Sequence, residues 1–459
     1  MAEINESMSL ANPTPPILDN IQKLASAIGL IGLFILLLAW GGAHLPNAGL
    51  MLGISFAMIT TGILVYAWRA YMTVPEGIKN NGVFFSSVTN SFRGFWGWAA
   101  GILLTAFYVC LYWFPAYLES VIRMHDPLSM LLRGKAADQW FVYGTFYTLA
   151  VLVMGVKFIL KYKHNKYQTI RTFSVMFFQL GFAFLLPAFL AAMNQPEEYF
   201  SYFWPLDSYA LRPDWIEGKA SLGTFGYWII GIGFLLPFVV TPILTYLYGK
   251  RWYCSWVCGC GGLAETAGDP YRQLSDKSLK AWKIERWMIY SVLVAVVLLT
   301  VLLWVNHQTQ NTLLGSITEP YKKGYGFLIA QMFSGVIGVG FYPIMGSRVW
   351  CRFGCPMAAI LGLQQKFFSR FRITTNGGQC ISCGNCSTYC EMGIDVRVYA
   401  QKGQNIVRAS CVGCGVCAAV CPRGVLRLEN GSVDISERTD DLRTIHISEG
   451  QVKILSMDA

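Results

Sequence analysis

The sequence predicts an all-α bundle of about eight membrane-spanning helices followed by a small α+β domain, and three observations carry that expectation. Of 459 residues, 54% are apolar and 15% aromatic while only 14% are charged, a balance unlike that of a soluble domain. Runs of roughly twenty apolar residues recur, each long enough to cross a hydrocarbon core of about 30 Å as a helix. Beyond residue 371 the runs stop, and eight of the fourteen cysteines appear in a regular order.

Residues 1–22, with Pro13, Pro15 and Pro16, offer no face to bury and are expected to be a flexible lead. Apolar runs at 24–41, 48–68, 95–117, 141–160 and 172–193 make an N-terminal transmembrane region, 23–223, which carries no recognisable site. The first run differs from a secretory signal, because Glu3, Glu6 and Asp19 precede it and no small-residue cleavage site follows. A second membrane module, 224–371, holds runs at 225–248, 287–305 and 326–345. It contains a weak internal repeat, in which Arg251-Trp-Tyr-Cys254 is echoed by Arg348-Val-Trp-Cys351. Within it, Met357–Phe371 is apolar with Gln364, Gln365, Lys366 and Arg370 on one side, the pattern of a helix lying on a membrane surface. The α+β domain is placed at 372–435 and a polar tail at 436–459.

The net charge of +10 is explained by topology. With the N-terminus inside, the inner loops and the stretch after the last helix hold nineteen Lys and Arg residues against seven outside. Basic loops stay cytoplasmic, so both termini are expected on the cytoplasmic side of the inner cell membrane, with lipid and no nucleic acid as partner. All cysteines but Cys110 then fall on the reducing side, where clustered thiols imply metal and not disulfides.

The densest signal is Cys380-x2-Cys383-x2-Cys386-x3-Cys390, repeated as Cys411-x2-Cys414-x2-Cys417-x3-Cys421-Pro422. Three thiolates within seven residues wrap three corners of a 4Fe–4S cubane, and the fourth cysteine completes the other cluster. Cluster one is expected on Cys380, Cys383, Cys386 and Cys421; cluster two on Cys411, Cys414, Cys417 and Cys390. Arg372–Thr375 and Ile406–Ala409 read as strands, and Val425–Glu429 with Ser432–Ile435 as a hairpin about Asn430-Gly431. Gly384, Gly413, Gly415 and Ala418 leave room for backbone amides near the sulfurs. Zinc shares the Cys-x2-Cys spacing, but the doubled order favours iron. The domain is thus ferredoxin-like.

A second constellation is Cys254-x3-Cys258-x-Cys260 with Cys351-x3-Cys355-Pro356. A spacing of four puts two thiols on one helical face, and the set offers a further metal or cluster site, a dithiol couple, or a copper(I) site. Buried structural cysteine is the bland alternative.

The stretches Trp252-Tyr253-Cys254-Ser255-Trp256-Val257-Cys258 and Trp350-Cys351-Arg352-Phe353-Gly354-Cys355-Pro356, with the two ferredoxin motifs, resemble the membrane polyferredoxin family. That family includes the quinol-linked membrane subunit of periplasmic nitrate reductase, the membrane regulator of nitrous oxide reductase and the cytochrome oxidase assembly iron–sulfur protein. The likeness covers about 225–430. It departs at Gly259-Cys260 and at Glu391, where the family usually has proline, and in the five leading helices.

No histidine sits mid-helix to hold a haem. His44 and His307 fall at outer helix ends and, like His125, His164 and His446, read as interfacial or solvated, with a quinol site near His44 and His307 as the sharper alternative; Asp207, Glu265 and Asp269 read as solvated or capping. There is no nucleotide fingerprint, P-loop or hydrolase triad. The resemblance implies electron transfer between the quinone pool and a redox partner protein. Its alternative is a metalloreductase or assembly factor that handles copper.

Overall fold

The computed structural model describes residues 18–43, 45–72, 91–310, 312, 314–430, 444–448 and 451–455. In chain order the long helices are α1 (Asn20–Trp40), α2 (Ala48–Tyr71), α3 (Ser91–Trp113), α4 (Glu119–Arg133), α5 (Gln139–Lys161), α6 (Lys166–Ala192), α7 (Thr224–Tyr248) and α8 (Leu279–Gln308). Among the described residues, all of these except the amphipathic α4 are long and apolar enough to cross a membrane, which makes seven. Leu24, Ile102 and Trp228 on three of them are more than 60% exposed. Apolar side chains turned outward on helices that are apolar all round are suited to lipid, not water.

The capping box of Asp19 with Gln22 opens α1. The α1–α2 hairpin closes through small residues: a Cβ on Gly32 would meet the Ser55 carbonyl at 2.8 Å, and one on Gly62 the Ala25 carbonyl at 2.6 Å. Ser55 also donates to the Gly32 carbonyl, the close backbone approach typical of packing in lipid.

A further helix, α9 (315–337), turns π-helical from Gly326 to Ile337. The span expected at 326–345 thus starts earlier, on a turn carrying Glu319, Lys322 and Lys323, and stops at the Gly338–Gly340 turn. A side chain at Gly340 would meet Thr105 of α3 at 2.6 Å, so the helix ends where two backbones press together.

The Met357–Phe371 stretch forms α10 (Pro356–Phe368), but Gln365 of its polar side faces inward. The helix buries Met357, Ala358, Leu361, Gly362 and Gln365 against the C-terminal domain, because Gly362 admits the Ala409 carbonyl and Gln365 bonds into that domain.

There β1 (Arg372–Thr375) pairs antiparallel with β2 (Leu426–Glu429), from Arg372↔Glu429 to Thr375↔Leu426. Ile406–Ala409 gives one isolated bridge, Ile406↔Ile373, and no strand. β2 thus pairs with β1 across the domain. Residues 431–435, expected as its hairpin partner, lie outside the described residues. The expected polar tail contains a second hairpin of β3 (Thr444–Ser448) and β4 (Gln451–Leu455). One apolar core runs without interruption from Tyr253, Trp350 and Met357 to Ile373, Ile394 and Leu426, so the domain is packed onto the membrane helices and not merely tethered.

Candidate metal centres

In the C-terminal domain the eight motif cysteines divide between two cavities. Cys380, Cys383, Cys386 and Cys421 line one; Cys390, Cys411, Cys414 and Cys417 line the other. Each loop of three cysteines repeats one backbone device: residues at equivalent positions adopt left-handed φ, Ser382 (58°) and Gly384 (81°) in the first, Gly413 (64°) and Gly415 (73°) in the second. Such turns direct successive amides inward to form an anion-binding concavity. The Ile394 amide donates to Cys390 Sγ at 3.4 Å. Burial pushes the thiols of Cys386 and Cys414 up to about 12 and that of Cys411 to about 11, so deprotonation requires a cation among them. Four soft sulfur donors per cavity, amides aimed at anionic sulfur and buried thiols together fit a thiolate-bound iron–sulfur cluster.

The paired motifs meet where the two half-modules abut, and all five cysteines are at least largely buried. The i,i+4 spacing does not put each pair on one helical face. Cys254 ends the short helix Arg251–Cys254 and Cys258 caps Gly259–Thr266; Cys351 lies in Val349–Phe353 and Cys355 caps α10. Pro356 holds Cys355 extended. The repeat is exact in hydrogen bonding: the Tyr253 carbonyl accepts from the amides of Val257 and Cys258, and the Trp350 carbonyl from those of Gly354 and Cys355. Burial raises the Cys254 thiol to about 11 and also raises Cys351. Cys260 goes the other way: a hydrogen bond from Cys258 brings it down to about 6, against burial and with help from the Tyr202 hydroxyl.

Two buried cations face these sulfurs. Lys250 is fully buried, donates to the Ala409 carbonyl at 3.0 Å and has no carboxylate partner among the described residues. It acts against burial on the thiols of Cys254, Cys351 and Cys411. Arg348 donates to Cys351 Sγ at 3.5 Å and to the Cys254 carbonyl at 3.2 Å, and pairs with Glu265 at 2.5 Å and Glu391 at 3.0 Å. An uncompensated buried cation is costly, and an anionic cluster would offset it.

Glu265 and Asp269 are therefore not solvated, as their sequence context suggested. They belong to a buried ion network: Arg171 and Arg348 on Glu265, Arg272 joining Glu391 (2.8 Å) to Asp269 (2.9 Å), and Lys161 on Asp269 (2.7 Å). It runs from Cys351 to Glu391, which stands close to Cys414. Asp207 accepts from the Tyr209 amide at 2.8 Å in a local turn. His125 is also buried, not solvated: it lies in α4 between Phe56 and Phe146. His307 pairs with Glu217 at 2.8 Å, and His44 lies outside the described residues.

The leading helices, which showed no motif, reach the second cavity. From α6, Tyr167 donates to the Gly413 carbonyl at 2.9 Å and Gln168 to that of Cys414 at 2.8 Å. Phe158 of α5 and Tyr162, which caps it, pack on Tyr389, Val416 and Val420. The one sequence signal for this was a charge inside an apolar run, at Lys157.

With this geometry the chain is a multi-pass helical membrane protein carrying ferredoxin-type 4Fe–4S domains. Residues 379–426 match the family described as a 4Fe-4S dicluster domain. Two stretches, 230–278 and 328–374, match a second family, described as a 4Fe-4S binding domain, and each contains one paired-cysteine motif. The chain is similar to YccM of Escherichia coli, named for electron transport, with 26% identity over 183 residues, 35% of this chain and 46% of that protein. It is also similar to MauN of Methylobacillus flagellatus, a methylamine utilization ferredoxin-type protein, with 25% identity over 159 residues, 34% of this chain and 53% of that one. The chain thus spans about half the length of the curated relatives it matches. No solved structure matches it.

Proposed function

We propose that this protein transfers electrons between the membrane quinone pool and a redox partner protein through two 4Fe–4S clusters in residues 372–435. The observation that supports it most is the division of eight cysteines into two cavities of four, in the crossed pattern that a two-cluster ferredoxin requires. Cys380, Cys383, Cys386 and Cys421 would hold one cluster, and Cys411, Cys414, Cys417 and Cys390 the other. When bound, each supplies a one-electron couple.

The chain's own residues set the conditions. The left-handed turns at 382, 384, 413 and 415 direct amides at the sulfurs, and such hydrogen bonds raise a cluster's potential. Gln168 and Tyr167 fix the carbonyls of the second loop. Lys250 holds a positive charge between the paired cysteines and Cys411. Cys254, Cys258, Cys351 and Cys355 are the intermediate station, and the family match over both motifs supports a cluster there. The names of YccM and MauN agree with an electron-transfer role. The basic-residue bias supports the inner membrane with both termini cytoplasmic.

One observation favours a second reading, copper handling: Cys260 adds a fifth thiol with a lowered pKa, and soft thiolates suit copper(I). Reduction of the clusters by a quinol in sealed vesicles tests the first reading. Cluster oxidation by copper(II) that stops in a Cys351→Ser, Cys355→Ser variant, with no response to quinol, would replace it by the second.

A further inference from the structure

A cavity of about 270 Å³ opens between the start of α8, α10 and residues 407–410 of the C-terminal domain, with Cys351 in its wall. That is far above the roughly 10–15 Å³ one water needs. Its charged lining is Lys250, Arg286, Arg352, Lys366 and Arg408 against the single carboxylate of Glu285.

That carboxylate is already engaged by Arg352 Nε at 2.8 Å and by the Ser410 hydroxyl. Arg352, 3% exposed, spends Nη1 on the Asp276 carbonyl at 2.7 Å, while Nη2 is buried with no hydrogen-bond partner among the described residues. A buried guanidinium N–H left without an acceptor is costly. The charge of Lys250 faces thiols, but Arg286, Lys366 and Arg408 have no carboxylate partner among the described residues. Arg286 and Arg408 both lie on Trp282, 4.8 and 4.4 Å from its ring centroid.

The first turns of α8 carry Lys280, Lys283 and Arg286, and on the same two helices Trp287, Phe367 and Phe368 are more than 60% exposed. Basic and aromatic residues together mark a membrane interface on the basic side. We infer that this cavity binds a phosphate group, contributed by the headgroup of an anionic phospholipid and held by the charges of Arg286, Lys366 and Arg408 at its mouth. Basic pockets between helices on the cytoplasmic side are suited to such headgroups.

The test uses the full-length, cluster-loaded protein in nanodiscs of phosphatidylcholine with and without phosphatidylglycerol, with retained lipid counted by native mass spectrometry after detergent release. Phosphatidylglycerol should be retained at least about tenfold over phosphatidylcholine, the scale set by basic groups close to an anionic lipid surface. An Arg286→Gln, Lys366→Gln variant, changed at exposed positions, should lose that preference at unchanged iron content. Lys280→Gln, Lys283→Gln, on the same helix but outside the cavity lining, should keep it. In lipid-free detergent, inorganic phosphate should bind the wild type and compete with phosphatidylglycerol; phosphate that binds where phosphatidylglycerol does not would assign the free anion as the source. Equal retention of both lipids with no phosphate binding, or undiminished preference in Arg286→Gln, Lys366→Gln, would overturn the inference.

Discussion

Arg348 shows how much one residue can hold here. Its guanidinium touches a thiol, a carbonyl and two carboxylates from separate parts of the chain. Arg348→Gln leaves Glu265 and Glu391 short of a partner in the interior, and losing one member of a buried ion network costs about 3–5 kcal/mol. The variant should unfold at lower denaturant concentration, read by far-UV circular dichroism in detergent. Asp269 adds a pH dependence. Burial opposes its ionisation, but Lys161 and Arg272 prevail and lower its carboxyl below the ordinary 3.8. A folded pKa below the unfolded one means its contribution is complete at neutral pH and lost only as the solution falls through the lowered value. Asp269→Asn should therefore destabilise at pH 7, and the difference from wild type should shrink toward pH 3. None of this was legible in the sequence, where Glu265 and Asp269 stand near a predicted membrane boundary and Glu391 stands only where the family usually has proline. Their partners lie far along the chain, with no local pattern to mark them.

At the scale of elements, the cysteine loops were legible and their surroundings were not. The doubled spacing fixes which thiols share a cavity because three of the four sit in one tight loop, and the structure brings those sets together. Paired motifs were legible as a repeat but not as two broken helices, since a spacing of four fits a continuous helix until Pro356 and the cap at Cys258 are taken into account. α10 read as a surface helix because Gln364, Gln365, Lys366 and Arg370 share one side, which implied that Gln365 faces outward. That side chain instead accepts from the Lys250 amide and donates to the carbonyls of Arg408 and Cys411. Gly413→Ala tests the second loop. It puts a Cβ on a left-handed residue, at about 1–2 kcal/mol, and within 2.6 Å of Arg251 Cβ. About half of the iron should be lost while the first cluster's paramagnetic signal persists; full iron content would show that the turn is not needed.

For the whole molecule, the uninterrupted core joining membrane helices to the C-terminal domain argues for fixed distances between redox centres. The bundle was legible from apolar runs alone, within a few residues at most ends, because a lipid-facing helix must be apolar over its full length. The leading helices' contact with the second cysteine loop was not, because Tyr167 and Gly413 are 246 residues apart. In sealed vesicles, Cys351→Ser, Cys355→Ser should keep both ferredoxin clusters, since serine is nearly isosteric, and lose their reduction by quinol. Iron lost together with protein abundance would make these cysteines structural. The central claim, two clusters on crossed sets of four cysteines, is tested most directly by iron and acid-labile sulfide analysis with electron paramagnetic resonance on anaerobically purified wild type and Cys383→Ser. The wild type should hold at least about eight iron and eight sulfide per chain, and Cys383→Ser about four fewer of each with the second cluster's signal intact; zinc in place of iron, or wild-type iron content in Cys383→Ser, would contradict it.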